Sequence, residues 1–343
     1  MTPCPIASAR NRLTELTGDR RQLASVRRIT LDDGPAKGMR AMAFSTGGGL
    51  DFWVLVDGTM DIGPLWFQGM PVSWQHPGGI VAPQLHDPQG DGGTGIARAM
   101  SGFLVTCGLD NVRQPQAGMP LHGSLPLTPA RVTSYGEDWN ATTPLLFAEG
   151  EIVNAHLDRH CFCLTRRIEA PIGGTTLRVI DTVENIGPGP AAFRILYHTN
   201  FGFPAVGEGT RVSLNGTELL NHEPPLEGRR AAETPIACHD ATKVPQFRVV
   251  LERPTSGPWR GLEVTVEGDR TALPFVQLWS DTRPRRNIVA IEPVNCDRNS
   301  DGTSGPGMDL ASGENWTSTL TYSFAVSGRD GKADTKGSLH GNR

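Results

Sequence analysis

Turn-forming residues punctuate this 343-residue chain so often that few long regular elements fit between them. Glycine (41) and proline (27) make up about a fifth of the sequence, and both are disfavoured inside helices and strands and concentrated in turns. Between the turns, apolar residues come in short or alternating runs at 50–56, 103–106, 145–153, 161–168, 176–183, 192–197, 247–251, 262–266, 275–279, 288–291 and 316–326. Such runs read as strands. Turn signals such as APIGG at 170–174, NIGPGP at 185–190, SLNGT at 213–217 and VEGD at 266–269 recur at the close spacing of antiparallel meanders. The predicted class is all-β, a large antiparallel β-sandwich. Helical signal is confined to about residues 12–28, enough for one or two short turns. No repeat or linker divides the chain, so the pattern predicts an N-terminal extension at 1–24, one sandwich domain at 25–326 and a flexible polar tail at 327–343.

Charge narrows the partners. Lys+Arg 32 against Asp+Glu 36 gives a net charge of −4 with no basic block, which argues against a nucleic-acid partner. No stretch approaches the roughly 18 apolar residues a membrane span needs, and the N-terminus lacks an apolar signal core. A cytoplasmic protein with no membrane partner is expected. Six cysteines are too sparse for a disulfide scaffold, and Cys161 and Cys163 share one strand face as reduced core residues.

Several motifs invite a reading that their context weakens. GDGGTG at 90–95 matches a dinucleotide fingerprint, but a proline-containing loop precedes it where a strand is required. Asp297, Asn299 and Asp301 begin like a calcium loop, yet position twelve is Met308 instead of a bidentate glutamate. Cys107 ends an apolar strand, a setting for packing more than for a thiolate nucleophile. His76 and His86 flank a Gly/Pro loop and read as solvated.

Three other segments share a pattern: MPLHGSLP around His122, ILYHTNFGFP around His198 and IVAIEPVNC around Glu292. In each, a titratable side chain stands where an apolar strand meets a Gly or Pro turn, a common setting for catalytic groups. Two imidazoles and a carboxylate supply acid/base chemistry near neutral pH. They are also the ligand set of a facial-triad metal site, so a transition metal there, like calcium at 297–301, stands as an alternative to the expected absence of any cofactor.

The ordered segments LHG, YHTNFGFP, AIEP and LASGENWTSTLTYSF, over roughly 40–326, resemble the galactose mutarotase (aldose 1-epimerase) superfamily and its supersandwich fold. GTMDIGPLWFQGMPVSW at 58–74 and FLVTCGLDNV at 103–112 are more similar to its bacterial epimerase-like branch, a domain of unknown function. The resemblance implies a carbohydrate-active isomerase acting at the anomeric centre of a free sugar or sugar acid. Glu292 would be the base, His198 the acid, and His122 a hydrogen-bonding partner of the ring oxygen or a neighbouring hydroxyl. It also implies that the His198 and Glu292 head groups stand apart across a sugar ring. The sequence departs from the superfamily in three places: its Asn-Arg segment before the first histidine is represented here by Arg113 alone, its Asp-His-Asn-Phe-like motif by His239-Asp240 alone, and CDRNSDGTSG replaces its usual turn after the glutamate.

Carbohydrate sites combine aromatic faces with polar side chains. Trp74, Trp279 and Phe201 are therefore candidates for stacking, and Asp61, Asn111, Asn200 and Arg113 for hydroxyl or carboxylate contacts. Two other functions fit the same residues: an epimerase or lyase that removes a proton beside the carbonyl of a keto-sugar, and a non-catalytic carbohydrate-binding protein.

Overall fold

The computed structural model describes residues 13, 15–222, 233–241, 246–256 and 258–327. The predicted tail beyond Ser327, and most of the predicted extension before Leu16, lie outside the described residues. The regular secondary structure of the described residues is almost all strand, in three sheets, and every strand pairing within them is antiparallel. All eleven predicted runs form strands, usually longer than expected, as with Leu145–His156 and His160–Pro171. Within the segment predicted helical, residues 13, 15 and 16 are α-helical, Arg20–Gln22 forms a 3-10 turn, and Ser25–Thr30 is already a strand.

Strands from Ser25–Thr30 to Met70–Pro71 make a five-stranded meander. A nine-stranded sheet contains the long strands His160–Pro171, Thr176–Asn185 and Asn315–Ala325. Its strands alternate buried and half-buried side chains, as in Asn315–Ala325, because one face packs on the core and the other meets solvent. The third sheet holds Glu233–Asp240, Phe275–Asp281, Ile288–Val294, Ala191–Phe201 and Met308–Leu310 in that order, with Leu104–Leu109 also pairing to Ala191–Phe201. Here the alternation is lost: all of Ile288–Val294 is buried. One face of this sheet packs on the core, and the other forms the floor of a cavity.

A buried charge network joins the three sheets. The Arg166 guanidinium, fully buried, donates to both Asp181 carboxylate oxygens at 2.9 and 2.6 Å and to Asp61 Oδ1 at 2.6 Å. Thr106 donates to Asp61 through its hydroxyl at 2.6 Å and its backbone N–H at 2.9 Å, and Tyr197 donates to Asp181 at 2.8 Å. Asp61 comes from the first sheet, Arg166 and Asp181 from the second, and Thr106 and Tyr197 from the third. The placement corrects the expectation for Asp61. Its two oxygens are occupied by donors inside the core, so it is not a sugar contact.

Candidate active site

Strand register builds the centre of the site. Gln277 pairs with Glu292, while the flanking pairs Leu196 with Val294 and Thr199 with Ile291 set His198 opposite Glu292 on the other side. Gln277, Glu292 and His198 therefore form a row across three adjacent strands on one sheet face, where opposed Cβ atoms lie about 4.5–5.5 Å apart. Tyr197 and Thr199, which alternate with His198, point the other way into the core and hydrogen-bond Ser318 and Tyr322.

His122 reaches the row from a loop. Its backbone is left-handed, with φ 63°, and Gly123 follows with φ 78°. A Cβ at Gly123 would come within 2.2 Å of the Asn111 carbonyl oxygen, so glycine is the residue this approach permits. That is the physical content of the Leu-His-Gly motif. Asn111 shapes the same loop: its amide donates to the carbonyls of Arg113, Gln114 and Pro120 at 2.8–3.0 Å, and its oxygen accepts from Gln116 and Ser304. It is therefore not a ligand contact either, because its hydrogen-bonding capacity is used in holding the segment that carries His122.

His122, His198 and Glu292 line one cavity of about 280 Å³ together with Arg113, Gln277, Trp74 and Trp279. The imidazoles of His122 and His198 meet edge to face at 5.2 Å between centroids. His198 Nε2 lies 3.3 Å from Glu292 Oε1. The expected separation across a sugar ring is thus not present; residues opposed on neighbouring strands meet directly. Asn200 lies behind His198, its oxygen 2.6 Å from Nδ1 and its amide donating to the Gly102 carbonyl at 3.3 Å. Phe201 is fully buried and stacks edge-on against Phe103. Neither is among the cavity-lining residues, which corrects both expectations: one orients a histidine and the other is core.

The hydrogen bonds assign protons. A carbonyl only accepts, so His122 Nδ1, 2.9 Å from the Val112 oxygen, carries hydrogen. The Asn200 orientation likewise places hydrogen on His198 Nδ1, leaving Nε2 of each neutral ring as an acceptor facing the cavity. Arg113 donates Nε–H to Gln277 Oε1 at 2.8 Å, which obliges the Gln277 amide nitrogen to donate to Glu292 Oε2. Burial pushes both imidazoles down to about 4, with His198 opposing the His122 charge as well, and pushes the Glu292 carboxyl up to about 7 against the pull of His122 and the Gln277 hydrogen bond. Between those values the Glu292/His198 pair holds one proton.

Trp74 and Trp279 both line the cavity, and the Trp74 indole N–H is anchored on the Arg286 carbonyl at 2.7 Å. Sequence reading missed Gln277, Arg286 and Arg298. The available signal for Gln277 was a lone amide in the apolar run Phe275–Trp279, on the same face as Trp279. Cys107 is buried among apolar residues, and burial raises its thiol well above the usual range. The side chains of Asp297, Asn299 and Asp301 bond within their own turn, to Arg298 N, Thr303 and Ser304. Among the described residues no three of His, Cys, Asp or Glu are grouped to hold a metal ion, and no helix is long and apolar enough to cross a membrane.

The sequence profile of a family described as Domain of unknown function (DUF4432) matches residues 36–324. No curated protein matches the chain. Among solved structures, a "putative aldose 1-epimerase" from Klebsiella pneumoniae superposes with a TM-score of 0.68 at 16% identity, covering 89% of this chain and 86% of its own. A galactose mutarotase-like protein from Clostridium acetobutylicum gives 0.55 at 13% identity, with coverages of 88% and 98%. The galactose 1-epimerase of Lactobacillus acidophilus gives 0.51 at 9%, also covering 88% and 98%. At these identities the likeness establishes the galactose mutarotase-like sandwich fold.

Proposed function

The chain belongs to the DUF4432 family, and from its site we propose that it is an isomerase of the aldose 1-epimerase type, interconverting the anomers of a free sugar. The carrying observation is the cross-strand row of Gln277, Glu292 and His198, facing His122 inside a cavity sized for one monosaccharide. At about 280 Å³ it lies near the lower end of the range for small-molecule sites.

Anomer exchange needs one proton removed from the C1 hydroxyl and one delivered to the ring oxygen. Both oxygens are bonded to C1, so an acid and a base in contact with each other can serve both once the sugar's C1 edge enters beside them. Starting from ionised Glu292 and protonated His198, ring opening moves one proton onto the carboxylate and another from the imidazolium to the ring oxygen. The pair ends as carboxylic acid and neutral imidazole. Rotation about C1–C2 and the reverse transfers close the other anomer and restore the starting tautomer. The opposite assignment, with Glu292 as acid, runs through the same two tautomers, and burial favours it in the resting site. Neutral His122 offers Nε2 as an acceptor for a sugar hydroxyl. Gln277, held by Arg113, keeps Glu292 Oε1 directed at His198.

Proton NMR of anomer exchange over a panel of aldoses in deuterium oxide tests this reading. Accelerated exchange without deuterium at C2 is the expected result; deuterium at C2 would instead assign the site to keto-sugar chemistry. Chelation is expected to leave the rate unchanged, since each step is a proton transfer between named side chains and the sugar.

The proton count also fixes the pH dependence. Either assignment requires one proton on the pair, so kcat/KM is expected to rise as pH increases through about 4 and to fall as the last proton leaves through about 7. A profile still climbing above pH 7, in buffers matched for ionic strength, would contradict the shared-proton mechanism.

A further inference from the structure

We propose that the sugar carries an anionic group, a carboxylate or a phosphate ester away from C1, which Arg298 and Arg286 receive at the cavity wall. This rests on the anomer-exchange reading of the same cavity and adds the class of substrate. The charge balance of the lining motivates it. Among the described residues, Arg113, Arg286 and Arg298 line the cavity, against the single carboxylate of Glu292.

The three arginines are not equivalent. Arg113 is buried and its guanidinium is spent on the protein: Nε on Gln277, the terminal nitrogens on the carbonyls of Asp297 and Cys296 and on the sulfurs of Cys296 and Cys238. Five contacts match its five N–H groups, so it contributes charge but has no donor left for a ligand. Arg298 differs. Among the described residues no carboxylate lies within 4.0 Å of its guanidinium, and the nearby Asp301 carboxylate is turned to Thr303. Its place is shaped by Gly302, which also lines the cavity: with φ 87°, a Cβ there would sit 3.0 Å from an Arg298 terminal nitrogen. Among the described residues, the carboxylate within 4.0 Å of Arg286 is that of Asp281, at 3.7 Å, whose oxygens already hold Arg283 at 2.8 and 2.6 Å.

A guanidinium fork matches the paired oxygens of a carboxylate or phosphate. An arginine facing a cavity without its own carboxylate is set to take one from the ligand. Neutral aldoses offer only hydroxyls, which leave that charge unanswered.

The test compares D-glucose, D-glucuronate and D-glucose 6-phosphate in the full-length protein, measuring exchange by saturation-transfer NMR and binding by calorimetry. At low salt, kcat/KM for at least one anion is expected to exceed that for D-glucose tenfold or more, and the two anion arms tell carboxylate from phosphate. Arg298→Gln should cut that ratio at least tenfold, Arg286→Gln should cut it less, and Arg298→Glu should turn the preference toward cationic D-glucosamine. Equal rates for all three sugars, or a ratio unmoved by Arg298→Gln, would overturn the proposal while leaving anomer exchange in place. Binding of either anion that Arg298→Gln abolishes, without exchange of any sugar, would uphold the anion site and remove the proposed activity. Failure of both anions to bind would sink the anion site.

Discussion

Glu292→Gln is expected to lower anomer exchange by about 10²–10⁴-fold, the usual worth of a positioned general acid or base, while sugar affinity changes only a few-fold. The substitution is nearly isosteric and the surroundings accept it. Gln277 must donate to this position because its own oxygen is held by Arg113, so the new amide turns its oxygen to Gln277. Its NH₂ group then faces His198 Nε2, an acceptor at 3.3 Å in the native protein. Every hydrogen bond of the row survives, and only the ability to gain and lose a proton is removed. The loss should accordingly fall on kcat. Saturation-transfer NMR gives the rate and calorimetry the affinity. Exchange within tenfold of the native rate would move the proton chemistry away from Glu292, to the two histidines.

That test depends on geometry which the sequence discloses unevenly. His122, His198 and Glu292 are legible because each is a titratable group beside an apolar run and a Gly or Pro signal, although His198 and Glu292 stand within strands and His122 in a loop. Gln277 is not, since its role arises only when Phe275–Asp281 pairs with Ile288–Val294 in the observed register. The polar residues beside the motifs misled for a related reason. In Ala191–Phe201 both faces are buried from Ile195 onward, so hydrophobic alternation no longer tells which side chain faces the cavity. His198 faces it, while Asn200 turns its amide to the Gly102 carbonyl and its oxygen to the imidazole, and Phe201 packs in the core. Strands were overlooked where the pattern is broken by other demands. Asp61–Phe67 contains Gly63 and Pro64, and Arg131–Asp138 carries little apolar content because no position in it is fully buried. The segment at 296–305, a departure from the related superfamily, begins in sequence like a calcium loop but lacks its bidentate glutamate. In three dimensions its oxygens close their own turn and its arginine faces the cavity.

Arg166→Met is expected to destabilise the fold by about 3–5 kcal/mol, the usual cost of removing one partner from a buried ion network. Methionine fills much of the same volume, so the loss is chiefly electrostatic. Asp181 keeps only the Tyr197 hydroxyl and Asp61 only its two Thr106 donors, leaving two carboxyl groups buried between three sheets without a cation. Ionised, they repel each other and lack solvation; protonated, they are far cheaper to bury. The deficit should therefore be largest at neutral to alkaline pH and shrink as pH falls and the native state takes up protons that the unfolded chain at the same pH does not. Adding Asp61→Asn and Asp181→Asn to Arg166→Met should recover part of the loss, because the residues form one network and their effects are not additive. Urea denaturation of the native protein, the single variant and the triple variant at pH 5.5 and 8 measures all of this. A single-variant loss below about 1 kcal/mol, the centre of the range for unselected substitutions, would show that the network does not hold the three sheets together. The site depends on that junction, since Thr106 and Tyr197 lie on the two strands that pair beside His198. In a partly stable variant, then, exchange activity should be lost at lower urea than the global unfolding midpoint.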